Sequence, residues 1–397
     1  MERINKLMSL TMIGFKMEKK MFVNRLKKWA EARGYRVAVA SADVLGVVRE
    51  KLEARRDAGM IEAGFFREKL AGFRYLDGCG IEGPKALVMV SVPSPIHVLP
   101  FMLAERRIDG LIPPTYVNYR KTFEDVLADM KANVLSGEND TTGAEILSAP
   151  LKSLAVHMGL VSYGRNNITY APGFGSSHQL CGYVVGTRES LLSSAGGAGT
   201  GGAGRRRGMA DKAGESQEEN RDPGWKETVM DRCSSCRACV EVCPTGAIRE
   251  DKFLISAERC FTLFSESKGP MPEWVRRPAS MCLIGCLACQ AICPENKGRL
   301  KYEPSGVEFT AEETEAILAI GRRMEADGNG GRSDEDECEK AKETEDGCSA
   351  TGFGDRRELG DEGCDRVASA SARAKFDQLG MSEDIEAIGR NLRFFLR

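Results

Sequence analysis

The stretch that decides the fold is CSSCRACVEVCP, residues 233–244, read together with CLIGCLACQAICP, residues 282–294. Cys233, Cys236, Cys239 and Cys243, followed by Pro244, fit C-x2-C-x2-C-x3-C-P. That is the bacterial two-cluster ferredoxin run, in which three thiolates hold one [4Fe-4S] cluster and the fourth reaches a second. The tight spacing wraps three sulfurs around one face of a cube. A zinc ribbon needs ligand pairs separated by a longer loop, and four cysteines in eleven residues overcrowd a single tetrahedral ion. The second run is in register at Cys286, Cys289 and Cys293, but Leu283 occupies the next position back. Cys282, one residue off register, and Cys260 are the two candidates to complete the set, and spacing does not choose between them.

Working outward, nine of the fourteen cysteines fall between Cys233 and Cys293, which in a reducing compartment points to metal ligation rather than disulfides. Cys79, Cys181, Cys338, Cys348 and Cys364 have no ligand spacing and read as free thiols. Lys plus Arg number 56 against 58 Asp plus Glu, a formal net charge of -2, so no global field favours nucleic acid or a membrane surface. No run reaches the roughly 18 apolar residues of a spanning helix, and the opening residues do not form a secretory signal. The expected location is cytoplasmic, with no membrane partner.

The expected fold class is α+β, an N-terminal mixed α/β domain followed by a two-cluster ferredoxin-like domain. Its boundaries are 1–190 for the α/β domain, 191–224 for a Gly/Ala/Ser-rich linker, 225–305 for the cluster domain and 306–397 for a C-terminal segment. Within that last segment, 326–366 is acidic, poor in aromatics and expected to be disordered, and a docking helix follows. In the first domain, MFVNRLKKWAEARG predicts an amphipathic helix, and YRVAVA and ALVMVSVP predict strands. YRKTFEDVLADMKANVL places Phe123, Val126, Leu127, Met130 and Val134 on one helical face. EILSAPLKSLAVHMG predicts a further helix, and NNITYAP and CGYVVGT predict short strands.

AERCFTLFSESKGPMPEWVRRPASMCLIGCLACQAICPENKG (257–298) resembles the cluster domain of epoxyqueuosine reductases. LAVHMGLVSYGRNNITYAPGFGS (154–176) is similar to that family's segment before and after its glycine-leucine pair, and YRKTFEDVLADMKANVL to its tyrosine-led helix. The likeness covers residues 85–185 and 228–300. It implies that Cys233, Cys236, Cys239 and Cys293 hold one cluster, that Cys243, Cys260, Cys286 and Cys289 hold the other, and that Cys282 is spare. It also implies cobalamin in a cleft of the N-terminal domain, with Tyr163, Arg165 and Asn166 as cofactor-binding residues, and electrons passing from the clusters to cobalt. The family's catalytic aspartate falls on Glu145 when counted back from Gly159 and Leu160, but on Leu147 when the SAP triplet is aligned. Glu145 is also readable as a surface carboxylate on a capped helix.

The resulting expectation is an iron-sulfur oxidoreductase that relays electrons to a corrinoid or substrate bound in its N-terminal domain. Its expected partner is a low-potential electron donor such as ferredoxin or flavodoxin. tRNA, implied by the resemblance, stands against the acidic C-terminal run, because a tRNA-binding surface is locally basic. The alternative is a ferredoxin-like electron-transfer protein without substrate chemistry of its own. A ferredoxin needs only about 60 residues, and the extra chain favours the enzyme. His97, His157 and His178 are candidates for a cobalt ligand or proton relay and equally for ordinary half-buried side chains. The prolines of IPPTYVNY stiffen a loop suited to a pocket rim.

Overall fold

The computed structural model describes residues 21–81, 85–136, 141–187, 229–250, 254–327 and 359–397. The expected linker 191–224 lies outside them, as does 328–358 of the acidic stretch. The described residues form two compact units that interleave along the chain. One is drawn from Met1–Ile96, Asn118–Cys260 and Ala288–Lys301, the other from His97–Val117, Phe261–Leu287 and Tyr302–Arg397.

The first unit is built on a four-stranded antiparallel sheet. Its strands lie in the order Arg36–Ser41, Lys85–Pro93, His178–Thr187, Thr141–Ile146. Strand alternation sends Val88, Val90 and Val92 to one face, where they meet Phe22, Leu26 and Trp29 of the 21–32 helix and Phe123, Val126 and Met130 of the helix Tyr119–Met130. Leu87 and Met89 turn to the other face, against Leu45 and Val48 of the helix Val44–Asp57 and Leu154 and Ala155 of the helix Leu151–His157. A sheet covered on both faces needs both residue sets apolar, which is why ALVMVSV reads as a continuous run rather than an alternation. Of the predicted face 123–134, Leu127 is only half-buried, and the last turn widens to π geometry over Lys131–Leu135.

One predicted helix is corrected. EILSAPLKSLAVHMG splits: Glu145 and Ile146 end the edge strand, paired with Val184 and Tyr183, and the helix starts only after Pro150. Proline has no amide hydrogen to donate within a helix and disfavours helical backbone at the residue before it, so Pro150 sets that start. Leu151 then packs directly on Gly182, where an added Cβ would lie 2.6 Å from its Cδ2.

His178 is buried in this unit. Its Nδ1 is 2.9 Å from Ser91 Oγ, and its Nε2 is 3.1 Å from the Thr169 carbonyl oxygen. Burial pushes its pKa down to about 4, although the Thr169 carbonyl works in the opposite direction. Between the ordinary value of 6.5 and about 4, the unfolded chain binds the proton and the folded chain does not. Stability is therefore lost as pH falls through that window, by about 3 kcal/mol in total. Replacing His178 with Gln should flatten this acid limb in denaturation midpoints measured from pH 7 to pH 4; an unchanged slope would show that His178 is not its source.

The second unit holds a hairpin absent from the sequence reading, Ile96–Leu103 paired with Arg106–Ile112, and the short strand Tyr302–Pro304 on its other edge. Its core stacks Phe101 on Phe309 at 4.7 Å and Phe309 on Phe376 at 4.9 Å. The helix Ala311–Asp327 opens with a capping box. The Thr310 N–H donates to Glu313 Oε2 at 2.8 Å, and the Glu313 N–H returns to Thr310 Oγ1 at 3.3 Å. Two further helices follow, Leu359–Gln378 and Ile385–Leu396. The first opens inside the stretch expected to be disordered, and the second is the predicted docking helix. Helices 311–327 and 385–396 cross backbone to backbone. A Cβ on Gly321 would lie 2.2 Å from the Arg390 nitrogen, and one on Gly389 2.3 Å from the Ile317 carbonyl oxygen. No described helix is long and apolar enough to cross a membrane.

Candidate functional site

The two cysteine runs share one local construction. Cys239 sits on the short helix Ala238–Val242 and Cys289 on Ala288–Ala291. Cys243 and Cys293 then leave in extended backbone immediately before Pro244 and Pro294. Each proline ends the helical segment and turns the chain away from the sulfurs.

The side chains show which sulfurs are neighbours. Burial pushes the Cys239 thiol up to about 11, and Cys233, Cys236 and Cys293 push it in the same direction. Cys233 is raised by burial first, with Cys293 and Cys236 adding to the effect. Cys233, Cys236 and Cys293 thus lie near enough to act on Cys239. The raised thiols of Cys233 and Cys239 hold their protons, which a metal bound there would displace. Cys243 behaves differently. Burial raises its pKa, but N–H groups of Thr245, Ile248 and Ala247, with the Thr245 hydroxyl at 3.7 Å from Sγ, outweigh it and leave the thiol below its ordinary value. Such a cradle of donors favours a thiolate ready for metal.

Cys260 lies in extended backbone between the 3-10 turn Ala257–Arg259 and the helix Phe261–Glu266, and its charge acts on Lys152. Cys282 is fully buried. Burial pushes its thiol up to about 11 against the Ser280 hydroxyl and the Leu287 N–H, and no cysteine acts on it. Among the described residues, no three His, Cys, Asp or Glu side chains converge on one point as a single ion requires. A [4Fe-4S] cube has no such requirement, because each thiolate binds its own iron at a separate corner. Donor chemistry and grouping thus fit cubes better than zinc.

Arg165 and Asn166, expected at a cofactor cleft, turn toward the cysteine runs instead. Arg165 donates from Nη2 to the Cys233 carbonyl oxygen at 2.6 Å and from Nη1 to that of Glu250 at 3.1 Å. Asn166 donates from Nδ2 to the Tyr170 hydroxyl at 2.9 Å and, more weakly, to the Cys289 carbonyl oxygen at 3.5 Å. Tyr170 is raised by burial and then by its contact with Cys293. The GRNN turn therefore braces both runs. Nothing in its spacing separates that role from cofactor contact, since both need buried donors.

The first unit contains a cleft of about 810 Å³. Its floor is Ile146–Ser153, its aromatic walls include Phe65, Phe73 and Phe123, and Leu254, Ile255 and Ala257 close one side. Arg55, Arg120 and Lys152 line it against Glu62 and Glu124. Tyr163 lines it, with its hydroxyl 3.2 Å from Ser153 Oγ and its pKa raised by burial. Tyr119, the last residue of IPPTYVNY, also lines it. Lys152 projects from the helix Leu151–His157, and water reaches it. The protein mass around the cleft still lowers its pKa, Cys260 works in the opposite direction, and Nζ donates to the Asn167 carbonyl oxygen at 3.2 Å.

Glu145 is outside the cleft. Ile146 lines the cleft, strand alternation turns its neighbour to the opposite side, and Glu145 is exposed there with Oε1 near Gly80. Leu147, the residue given by aligning the SAP triplet, does line the cleft. No histidine lines it: His178 is bonded inside the sheet, His157 is exposed, and His97 belongs to the hairpin of the other unit.

Residues 232–296 match the family model described as a 4Fe-4S double cluster binding domain. Two curated relatives align there. An uncharacterised protein of Geobacillus stearothermophilus is 42% identical over 71 residues, 18% of this chain and 32% of its own length. The epoxyqueuosine reductase of Bacillus anthracis is 38% identical over 72 residues, again 18% of this chain and 19% of its own. The chain thus matches a third or less of the length of these relatives. Among solved structures, an epoxyqueuosine reductase crystallised with an epoxyqueuosine-modified tRNA-Tyr stem loop aligns at a TM-score of 0.45 and 17% identity. That alignment covers 72% of this chain and 67% of that one. The cysteine region is thus a double-cluster domain, and it is homologous to the corresponding part of epoxyqueuosine reductases.

Proposed function

We propose that this chain is an iron-sulfur oxidoreductase that carries electrons through two [4Fe-4S] clusters to a molecule held in the cleft of its first unit. The observation that carries the reading is the course of the chain at the cleft wall. Leu254, Ile255 and Ala257 line the cleft, and three residues after Ala257 the chain reaches Cys260, the proposed ligand of the second cluster. An electron-transfer protein that only docks partners has no use for a ligand-sized cleft beside its cluster segment. The ligand assignment carried forward is Cys233, Cys236, Cys239 and Cys293 for one cluster and Cys243, Cys260, Cys286 and Cys289 for the other. The electron donor is a low-potential carrier of the ferredoxin or flavodoxin class.

The volume of about 810 Å³ falls in the range of cofactor sites, and walls of Phe and Leu with a few polar groups suit a flat amphipathic ligand such as a corrinoid. When bound, a corrinoid would supply the low-potential chemistry at its metal. The chain's own share is different. The floor Leu147–Pro150 offers a largely apolar bed, Ser153 fixes the Tyr163 hydroxyl, and Lys152 holds a proton at Nζ whose release is eased by its surroundings. The described lining holds no histidine that would serve a bound corrinoid as a ligand. The substrate class is a small or nucleoside-like molecule. Leucine in place of an acid at 147 separates its chemistry from epoxide reduction as the relatives' name describes it.

The test is an anaerobic titration of iron-reconstituted protein with cob(II)alamin, followed by electron paramagnetic resonance. A saturable change to a base-off spectrum, lost when Ser148 is replaced by Trp to fill the cleft, is the expected result. An unchanged cobalamin spectrum with both clusters intact would overturn the corrinoid reading. A tRNA stem loop added as competitor shows whether a nucleoside carried on RNA reaches the same cleft.

A further inference from the structure

Among the described residues Arg390 is the largest fully buried side chain, and none of their carboxylates forms an ion pair with it, Glu325 acting on it only from a distance. Its Nη1 donates to the carbonyl oxygens of Ser267 and Gly269, both at 2.7 Å. Its Nη2 donates to those of Phe264 at 2.7 Å and Ser265 at 3.2 Å, and to Asn391 Oδ1 at 2.8 Å. A buried guanidinium paired only with neutral carbonyls is expensive, since charged groups almost never go inside unpaired. The acceptors explain the placement. They are the end of the helix Phe261–Glu266 and the turn after it, where unsatisfied carbonyls and the helix dipole both call for a cation.

That helix begins at the residue after Cys260. Its Ser265 is also the acceptor for the Gly285 N–H at 2.8 Å, one residue before Cys286. Asn391 completes the bracket, donating from Nδ2 to the Ser265 carbonyl oxygen at 2.8 Å and to that of Leu283 at 2.7 Å. The helix Ile385–Leu396 therefore grips, with two adjacent side chains, the segment that follows Cys260 and the segment that precedes Cys286. Those cysteines are two of the four proposed ligands of the second cluster. None of the four ligands of the first cluster adjoins this network in sequence.

We infer that Arg390 and Asn391 are positioning residues for the second cluster, so that helix 385–396 determines whether the protein carries two clusters or one. The inference rests on the double-cluster domain and on Cys260 and Cys286 as ligands, and is independent of what the cleft binds.

The experiment is anaerobic reconstitution of the full chain carrying Arg390→Gln or Ser265→Ala, with iron and acid-labile sulfide counted per chain and the reduced protein followed by electron paramagnetic resonance. Ser265→Ala removes the acceptor for Gly285 while leaving the guanidinium in place, and keeps the test decisive if Arg390→Gln does not fold. Leu379→Ala, in the same core but outside the network, is the control for plain destabilisation. The expected result is a fall from about eight to about four iron per chain in the network variants. The spectrum of the first cluster should be retained, and Leu379→Ala should keep about eight. About eight iron with the wild-type spectrum in Ser265→Ala would overturn the inference, as would loss of both clusters together in that variant or the same loss of the second cluster in Leu379→Ala.

Discussion

Replacing Cys260 with Ala should halve the iron content, from about eight to about four per chain, whereas replacing Cys282 with Ala should leave it near eight. Spacing in the second run is silent between the two residues, and the side chains are not. Cys282 is sealed in the second unit, its thiol pushed up to about 11 by burial, with Ser280 and the Leu287 N–H as its named neighbours. Cys239 is raised as far, but Cys233, Cys236 and Cys293 act on it, whereas no cysteine acts on Cys282. Cys260 is partly exposed, in extended backbone, and lies near enough to the cleft to act on Lys152. Cys282→Ala should cost only ~1 kcal/mol for the lost packing of one buried sulfur. Iron and sulfide analysis of both variants decides the matter, and a loss of the second cluster in Cys282→Ala alone would reverse the ligand assignment.

Gly321→Ala and Gly389→Ala should each destabilise the second unit strongly. An exposed glycine in a helix costs about 1 kcal/mol relative to alanine, so propensity alone predicts a gain. Packing opposes it. The new methyl at 321 would meet the Arg390 nitrogen at 2.2 Å, and the one at 389 the Ile317 carbonyl oxygen at 2.3 Å, both backbone atoms that no rotamer change removes. Overpacking costs about 1–3 kcal/mol and occasionally more, and a clash with fixed backbone falls at the upper end, so the net loss is about 2 kcal/mol. Chemical denaturation should show a lower midpoint for both variants. Equal or higher midpoints would mean that the helices separate without penalty.

The double-cluster region was legible because its information is local. Thiolates at fixed spacing with a proline behind them specify a ligand set almost without reference to the rest of the chain. The sheet strands were legible for a related reason, since Leu87–Val90 must be apolar on both sides. The cleft was not. Whether Glu145 or Leu147 faces it depends on strand alternation at 141–146, and the sequence reading had placed a helix there. The hairpin 96–112 was missed because Pro100 and the charged Arg106 and Arg107 interrupt its pattern, while its pairing partner supplies what the pattern lacks. Arg165 was singled out as a cofactor residue, its bonds to the Cys233 and Glu250 carbonyls were not foreseen, and Arg390 was not recognised at all. A buried arginine whose partners are carbonyl oxygens more than a hundred residues away leaves no mark in composition or period.

The interleaving of the two units also dictates an order in time. When Cys233, Cys236 and Cys239 leave the ribosome, the fourth sulfur of their proposed set, Cys293, has yet to be made, and the first unit is not complete until Lys301. The second unit waits longer, because helix 385–396 is synthesised about a hundred residues after Cys286. At about 5–20 residues per second, that gap lasts on the order of five to twenty seconds. For that interval the nascent chain presents Cys260 and Cys286 without the helix that brackets the segments beside them. Scaffolds that deliver iron and chaperones that shield thiols would have their opportunity then, before the last helix closes the bracket.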